Sequence, residues 1–241
     1  MNLSDPTMAV TSTLDGPVLV TLALAGKPLT VAEVAGNASR GSEIGIRKSL
    51  GRLVTQGIVT ATELGNTRVY SLNNDHVAAD VAIDLARLGS KLWQKLEREL
   101  ESWRVRPLYA CIFGLAARRE GDAESEIDLL LVRPSTMAEL KEAQKSKPVK
   151  AALDMWIDVI TTRVMSEAQV KKWDMNIDRL HGLVLRWSGN PLQVASLSAV
   201  EWSELRRKKS PIYQNIRRDE IRLYDEFSPT VYKYREGHDG Q

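Results

Sequence analysis

Cysteine is nearly missing from this 241-residue chain: Cys111 is the only one. A single thiol excludes an internal disulfide and a cysteine-built zinc site. It sits in an apolar run, so it is expected to be a small buried hydrophobe. Histidine is scarce too, and His76, His181 and His238 show no metal-ligand spacing. No apolar run approaches the roughly 18 residues that span a bilayer, so no membrane partner is expected. The first residues, MNLSDPTM, lack a basic segment leading into an apolar core. No secretory signal is therefore expected, and a cytoplasmic location is. Excess charge is also lacking: 33 Lys and Arg against 31 Asp and Glu leave a net charge of +2. Any case for nucleic acid must come from where the charges lie. Internal repeats and low-complexity segments are absent as well. What remains is an ordinary globular balance, 43% hydrophobic and 27% charged, long enough for one large or two small domains.

The first eighty residues are punctuated by helix and turn signals. Gly16 to Ala25 reads as a short apolar helix, broken at Gly26-Lys27-Pro28. Thr30-Val31-Ala32-Glu33 fits a capping box, in which Thr30 takes the Glu33 amide and the Glu33 carboxylate reaches back. The short helix it opens ends near Gly36-Asn37, and Ser39-Arg40-Gly41-Ser42 makes a turn. Ser42 or Glu43 then starts a longer helix to Gln56, with Gly57 as its stop. Ile46, Leu50, Leu53 and Val54 share one face of it, and Arg47, Lys48 and Arg52 the other. Ile58 to Glu63 and Thr67 to Leu72 form a β-hairpin across Leu64-Gly65-Asn66, with Arg68 close to the tip.

This order, and the runs RKSLGRLVTQGIV and GNTRVYSLN, resemble the winged helix-turn-helix of bacterial ArsR- or MarR-like regulators. The resemblance implies a double-stranded DNA partner, with a recognition helix in the major groove. Ser39, Arg40, Ser42, Glu43, Arg47, Lys48, Arg52 and Arg68 are the candidate DNA contacts. Arg47 suits a bidentate pair with guanine, and Lys48 and Arg52 suit phosphate. Arg68 would lie on the backbone or in the minor groove. Winged helices also act as protein-docking modules, in which these charges are only a solvated face.

Val77 to Trp103 reads as one or two helices. Val81, Leu85, Leu88, Leu92, Leu96 and Leu100 recur every three or four residues. The stripe packs within one chain or against a second copy. A homodimer is expected, because two half-sites one DNA turn apart call for it. Trp93 and Trp103 are expected to be core anchors.

Residues Tyr109 to Pro134, YACIFGLAARREGDAESEIDLLLVRP, read as strand, glycine turn, short helix, acidic loop and strand. They resemble the signature of the minimal nucleotidyltransferase (polymerase β-like) superfamily. That signature is a Gly-Ser turn, a helix carrying Ala-Arg-Gly, and an Asp-x-Asp pair some ten residues on. In active members the two carboxylates share a strand face, and with a third acid they hold two divalent metals. The Gly-Ser turn takes the nucleotide phosphates. Gly114, Arg118 and Ser125 are the matching nucleotide-binding candidates, and Glu126 and Asp128 the metal candidates, with Mg2+ implied only for an active enzyme. Leu115 replaces the serine, Arg119 takes the glycine position and Glu126 replaces the first Asp. A leucine donates no hydrogen bond and sets its bulk toward the phosphates. These departures predict a degenerate site with no cofactor. Glu126, Asp128 and Asp158 remain the catalytic candidates if activity survives, in a toxin-antitoxin or defence setting.

Two placements of the third strand stay open. One is Trp156 to Ile160, presenting Asp158. The other is LQVASLS after Trp187-Ser188-Gly189-Asn190-Pro191, which resembles the Trp–Thr–Gly–Asn element of bacterial proteins that fuse a winged helix to this domain. The second has no acid, Gln193 being its nearest polar residue, and makes Met137 to Met165 an insertion. Ser166 to Trp187 reads as a helix striped by Trp173, Ile177, Leu180, Val184 and Trp187. Ser198 to Arg207 reads as another, capped by Ser198 and Glu201. Pro211 to Asp219 resembles the final helix of the fused family, and Ile221 to Tyr224 closes it. The likeness runs from about Leu14 to Tyr224, with 135–165 unmatched.

The expected fold class is thus α+β. A winged helix domain spans 1–76, a helical connector 77–103, and a nucleotidyltransferase-like α/β domain with a small mixed sheet 104–228. A polar tail follows at 229–241. The expected function is a DNA-binding regulator with a degenerate second domain for sensing, dimerisation or partner binding, the partner being a nucleotide or a protein. The alternative is an active metal-dependent nucleotidyltransferase.

Overall fold

The computed structural model describes residues 1–145 and 163–226. They form a mixed α+β protein in two compact units, which divide between Lys91 and Leu92. The expected tail at 229–241 and the candidate Asp158 lie outside the described residues.

The first unit opens with a 3-10 turn, Pro6–Ala9, capped by the Asp5 side chain. Helix α1 (Asp15–Ala25) stops at Gly26 in the left-handed region, where a side chain would be strained. Strand β1 (Leu29–Thr30) leads into α2 (Val31–Asn37), and the Thr30–Glu33 capping box is present in full. Helix α3 (Glu43–Thr55) starts on the Ser42 hydroxyl, which accepts the Gly45 amide. Strands β2 (Val59–Leu64) and β3 (Thr67–Leu72) form the expected hairpin. β1 adds to the other edge of β3, giving the order β1-β3-β2. Ile46, Leu50 and Leu53 of α3 are buried with Val18 and Leu22 of α1, Val34 of α2 and Val59 and Tyr70 of the sheet. One apolar core thus gathers every element of this unit's centre, which is where its stability resides.

The connector is two helices, α4 (Ala79–Ala86) and α5 (Leu88–Glu101). Leu92, Leu96 and Leu100 are buried, as are Trp93 and Trp103, but Val81 is 60% exposed. The stripe fails there for a geometric reason. Arg87 leaves the helical conformation between the two helices, and a 3.6-residue period does not carry one face across a break.

The second unit holds β4 (Tyr109–Phe113), α6 (Gly114–Arg118), β5 (Ile127–Arg133) and α7 (Met137–Gln144). After the undescribed stretch come α8 (Glu167–Ser188), β6 (Leu192–Ser198), α9 (Ala199–Arg207), α10 (Pro211–Asp219) and β7 (Ile221–Asp225). The sheet is mixed, in the order β6-β5-β4-β7, with β5 and β6 parallel and the other pairs antiparallel. Ile127, Leu129, Leu130 and Leu131 are wholly buried, as expected of a strand with neighbours on both sides and both faces covered. Between the open placements of the third strand, the one ending LQVASLS lies beside β5. A bridge joins Thr136 to Met165, and the Met165 amide donates to the Ser135 carbonyl. The chain therefore leaves and re-enters at one point, as an insertion would.

Candidate functional site

The glycine turn, the acidic loop and the start of β5 converge at one end of the mixed sheet. Phe113 pairs with Asp128, so the Gly114 turn sits directly against the Asp128 side chain. Gly114 has a φ of 68°, and a Cβ there would come within 2.3 Å of Asp128 Oδ2. Only glycine accommodates both the left-handed backbone and that contact. Glu126 lies one residue before β5, exposed, two positions from Asp128. Burial, and then the Glu126 charge, push the Asp128 carboxyl above its ordinary range, while Arg118 pulls it back. Sequence-distant Gly114 and Arg118 are thus brought to the Glu126–Asp128 pair.

The rest of the motif is committed to holding the loop. Arg118 donates to Glu120 at 2.8 Å and to Asp219 on α10 at 2.9 Å. Arg119 stands in the left-handed region at φ 58°, where a glycine would be free of strain. Ser125 donates to Asp122 and accepts the Asp122 amide, and this bonding holds Asp122 low. The Leu115 side chain is 43% exposed. Asn190 is fully buried, and its amide donates to the carbonyls of Asp122, Ala123 and Ser125 at 3.3, 3.3 and 3.0 Å. It follows the left-handed Gly189 cap of α8. In the sequence its one signal is a polar side chain directly after a helix-stopping glycine.

A two-metal centre asks for three carboxylates around one point. Gln193, not an acid, faces Asp128 across the β5–β6 register. Among the described residues no group of three or more His, Cys, Asp or Glu side chains is placed to hold a metal ion. Of the three candidate acids, the described residues include Glu126 and Asp128, while Asp158 lies outside them. Cys111 offers no nucleophile either, because burial and then the Glu220 charge push its thiol up to about 12.

In the first unit the cations of α3 differ in how firmly they are held. Arg47 is exposed and, among the described residues, pairs only with Glu43, at 2.9 Å. Lys48 is exposed and has no ion pair among the described residues. Arg68, at the hairpin, lies 3.9 Å from Glu63. Arg52 donates to Asp15 on α1, which also accepts the Ser49 hydroxyl. Arg40 is more firmly engaged: it donates to the buried Asp5 at 2.7 Å and to the Thr13 carbonyl at 2.8 Å. Ser39 approaches the same carboxylate, while Ser42 and Glu43 form the first turn of α3. No helix among the described residues is long and apolar enough to cross a membrane. Compared with protein-family models, curated proteins and solved structures, the chain matches none.

Proposed function

We propose that the chain is a DNA-binding transcriptional regulator. In this reading residues 1–76 are a winged helix-turn-helix that reads duplex DNA as a homodimer. Residues 104–228 are a nucleotidyltransferase-like domain without catalysis, used for sensing, dimerisation or partner binding. The observation that carries the reading is the Ser42-capped helix α3, which keeps Arg47 and Lys48 exposed just before the β2–β3 hairpin.

Magnitudes separate the cations. An exposed pair such as Arg47–Glu43 is worth only about 0.3–0.5 kcal/mol. A bidentate contact to guanine discriminates by about 1–3 kcal/mol. Arg47 therefore leaves Glu43 for a base edge at a net gain. Lys48 has no ion pair to leave among the described residues and serves phosphate. Arg40 would give up a buried carboxylate, so it holds the turn before α3 rather than reading bases.

The test is binding of the purified chain to the DNA upstream of its own reading frame and to a scrambled duplex, across a salt series. Sequence preference that persists near physiological salt is expected, with log affinity falling linearly against log salt. Arg47→Ala should relax the preference, and Lys48→Ala should weaken all sequences alike. Absence of preference at every salt concentration defeats the reading.

A second reading, a metal-dependent nucleotidyltransferase of toxin-antitoxin or defence type, draws support from the Gly114–Asp128 apposition. It requires Mg2+-dependent nucleotide binding that Asp128→Asn removes, and a filter-binding assay with and without Mg2+ decides it.

A further inference from the structure

Helix α3 turns Ile46, Ser49, Leu50 and Leu53 inward. Helical spacing sends Ile44, Arg47, Lys48 and Gly51 to the opposite side, and all four are exposed. Ile44 breaks the pattern of that side. It is 70% exposed, the one large apolar side chain on a face otherwise made of polar residues and glycine.

Ile44 stands in the first turn of α3, just after the Ser42 cap. The first turn of a recognition helix is the part that meets base edges. Side chains three and four apart on a helix are neighbours, with Cβ atoms about 5–6 Å apart, so Ile44 lies beside Arg47 and Lys48. Successive bases on a strand are roughly 3.4 Å apart. Ile44 thus reaches a base one or two steps from the one under Arg47. A branched alkyl group offers no hydrogen bond, and its match in the major groove is the C5 methyl of thymine. Isoleucine is shorter than arginine, so this contact needs the helix close to the bases. Gly51, two turns on, has no atom within 4 Å of where a Cβ would stand, and its missing side chain leaves room for that approach. An apolar protein partner on the same face would bury Lys48, which has no ion pair among the described residues, at high cost. A duplex supplies the methyl and the phosphates together.

Resting on the DNA reading above, we infer that Ile44 is a specificity-determining residue: it reads a thymine methyl within two base steps of the guanine paired with Arg47.

Fluorescence-anisotropy titration of the full chain tests this on the duplex upstream of its own reading frame. Each thymine is replaced in turn by deoxyuridine, which lacks only the C5 methyl. One such replacement in a half-site should weaken the wild-type chain about fourfold, the worth of one buried methyl. It should lie within two steps of the position where Arg47→Ala loses its discrimination. Ile44→Ala, at an exposed position, leaves the core intact, and far-UV circular dichroism checks its fold. It should bind the unaltered duplex about fourfold more weakly, keep the guanine preference and lose all response to deoxyuridine. A preferred duplex in which no thymine replacement matters overturns the assignment and leaves the DNA reading standing, as does an equal deoxyuridine loss in Ile44→Ala. Equal weakening of Ile44→Ala on upstream and scrambled duplexes overturns it too, and moves Ile44 to a contact between protein surfaces. No preference of the wild-type chain for the upstream duplex defeats the DNA reading itself, and this assignment with it.

Discussion

The two units spend their polar side chains differently. In the first, two of the α3 cations that attract attention in the sequence are held weakly, Arg47 with one exposed neighbour and Lys48 with none among the described residues, while Arg52 is tied to Asp15. In the second, the motif residues are turned to internal use. Arg118 ties α6 to α10, Ser125 and Asp122 bond each other, and Asn190 gathers the loop carbonyls. The contrast separates two properties of a motif. Its spacing builds a turn and a strand, whereas its chemistry depends on which groups stay free once the loop is folded.

The sharpest way to break this comparison is Trp173→Ala. Trp173 is 1% exposed and packs on Trp103, so the truncation should cost about 3–5 kcal/mol. Hydrogen exchange read by mass spectrometry should then show protection lost in residues 92–226 and kept in 1–91. Equal loss in both would mean that the units do not differ energetically.

Asn190→Ala comes next. It removes the donor shared by three part-buried loop carbonyls and should cost about 1–3 kcal/mol in urea denaturation. Faster exchange of the 120–126 amides should accompany it. A change no larger than a surface substitution would mean that the loop does not depend on this clamp.

Gly114→Ala should cost about 1–2 kcal/mol from left-handed strain alone, and more because its Cβ meets Asp128. In an Asp128→Ala background the added part should vanish while the strain stays. A thermal-melt double-mutant cycle with no coupling would separate Gly114 from Asp128.

The smallest effect is expected in the first unit, from Asp5→Asn. Burial alone would raise the Asp5 carboxyl, but hydrogen bonds from Thr7, Arg40 and Ser39 outweigh it and hold the carboxyl low. A depressed acid stabilises the fold above its unfolded pKa, about 3.9. That stabilisation is lost as pH falls through the lower folded value. Asp5→Asn should therefore cost about 1 kcal/mol at pH 7, and the gap between wild type and variant should narrow as pH falls from about 4 through the lower folded value. A gap that does not narrow as pH falls would trace the effect to packing.

Much of the chain's local order is legible. Thr30, Ser42 and Ser198 announce their helices through cap spacing, and Gly57 and Gly189 mark two stops. The Thr136–Glu139 capping box of α7 was equally present in the residues, yet that stretch read only as an insertion. Neither glycine nor proline stands at Arg87, where α4 and α5 part, so the residues left one helix or two open over Val77 to Trp103. The neighbour of β5 was undecidable, because Trp156 to Ile160 and Leu192 to Ser198 are equally strand-like.

By itself the sequence determined the α+β class, the caps, the hairpin and the glycine turn, because those signals act within a few residues. Tertiary structure alone decided that β6 lies against β5, that Asp219 holds Arg118 and that Asp5 holds Arg40. It also decided that Asp128 is pushed up beside Glu126, and that two tryptophans seventy residues apart pack edge to face. Burial and ion pairing depend on groups brought together from far along the chain, and residue spacing holds no record of them.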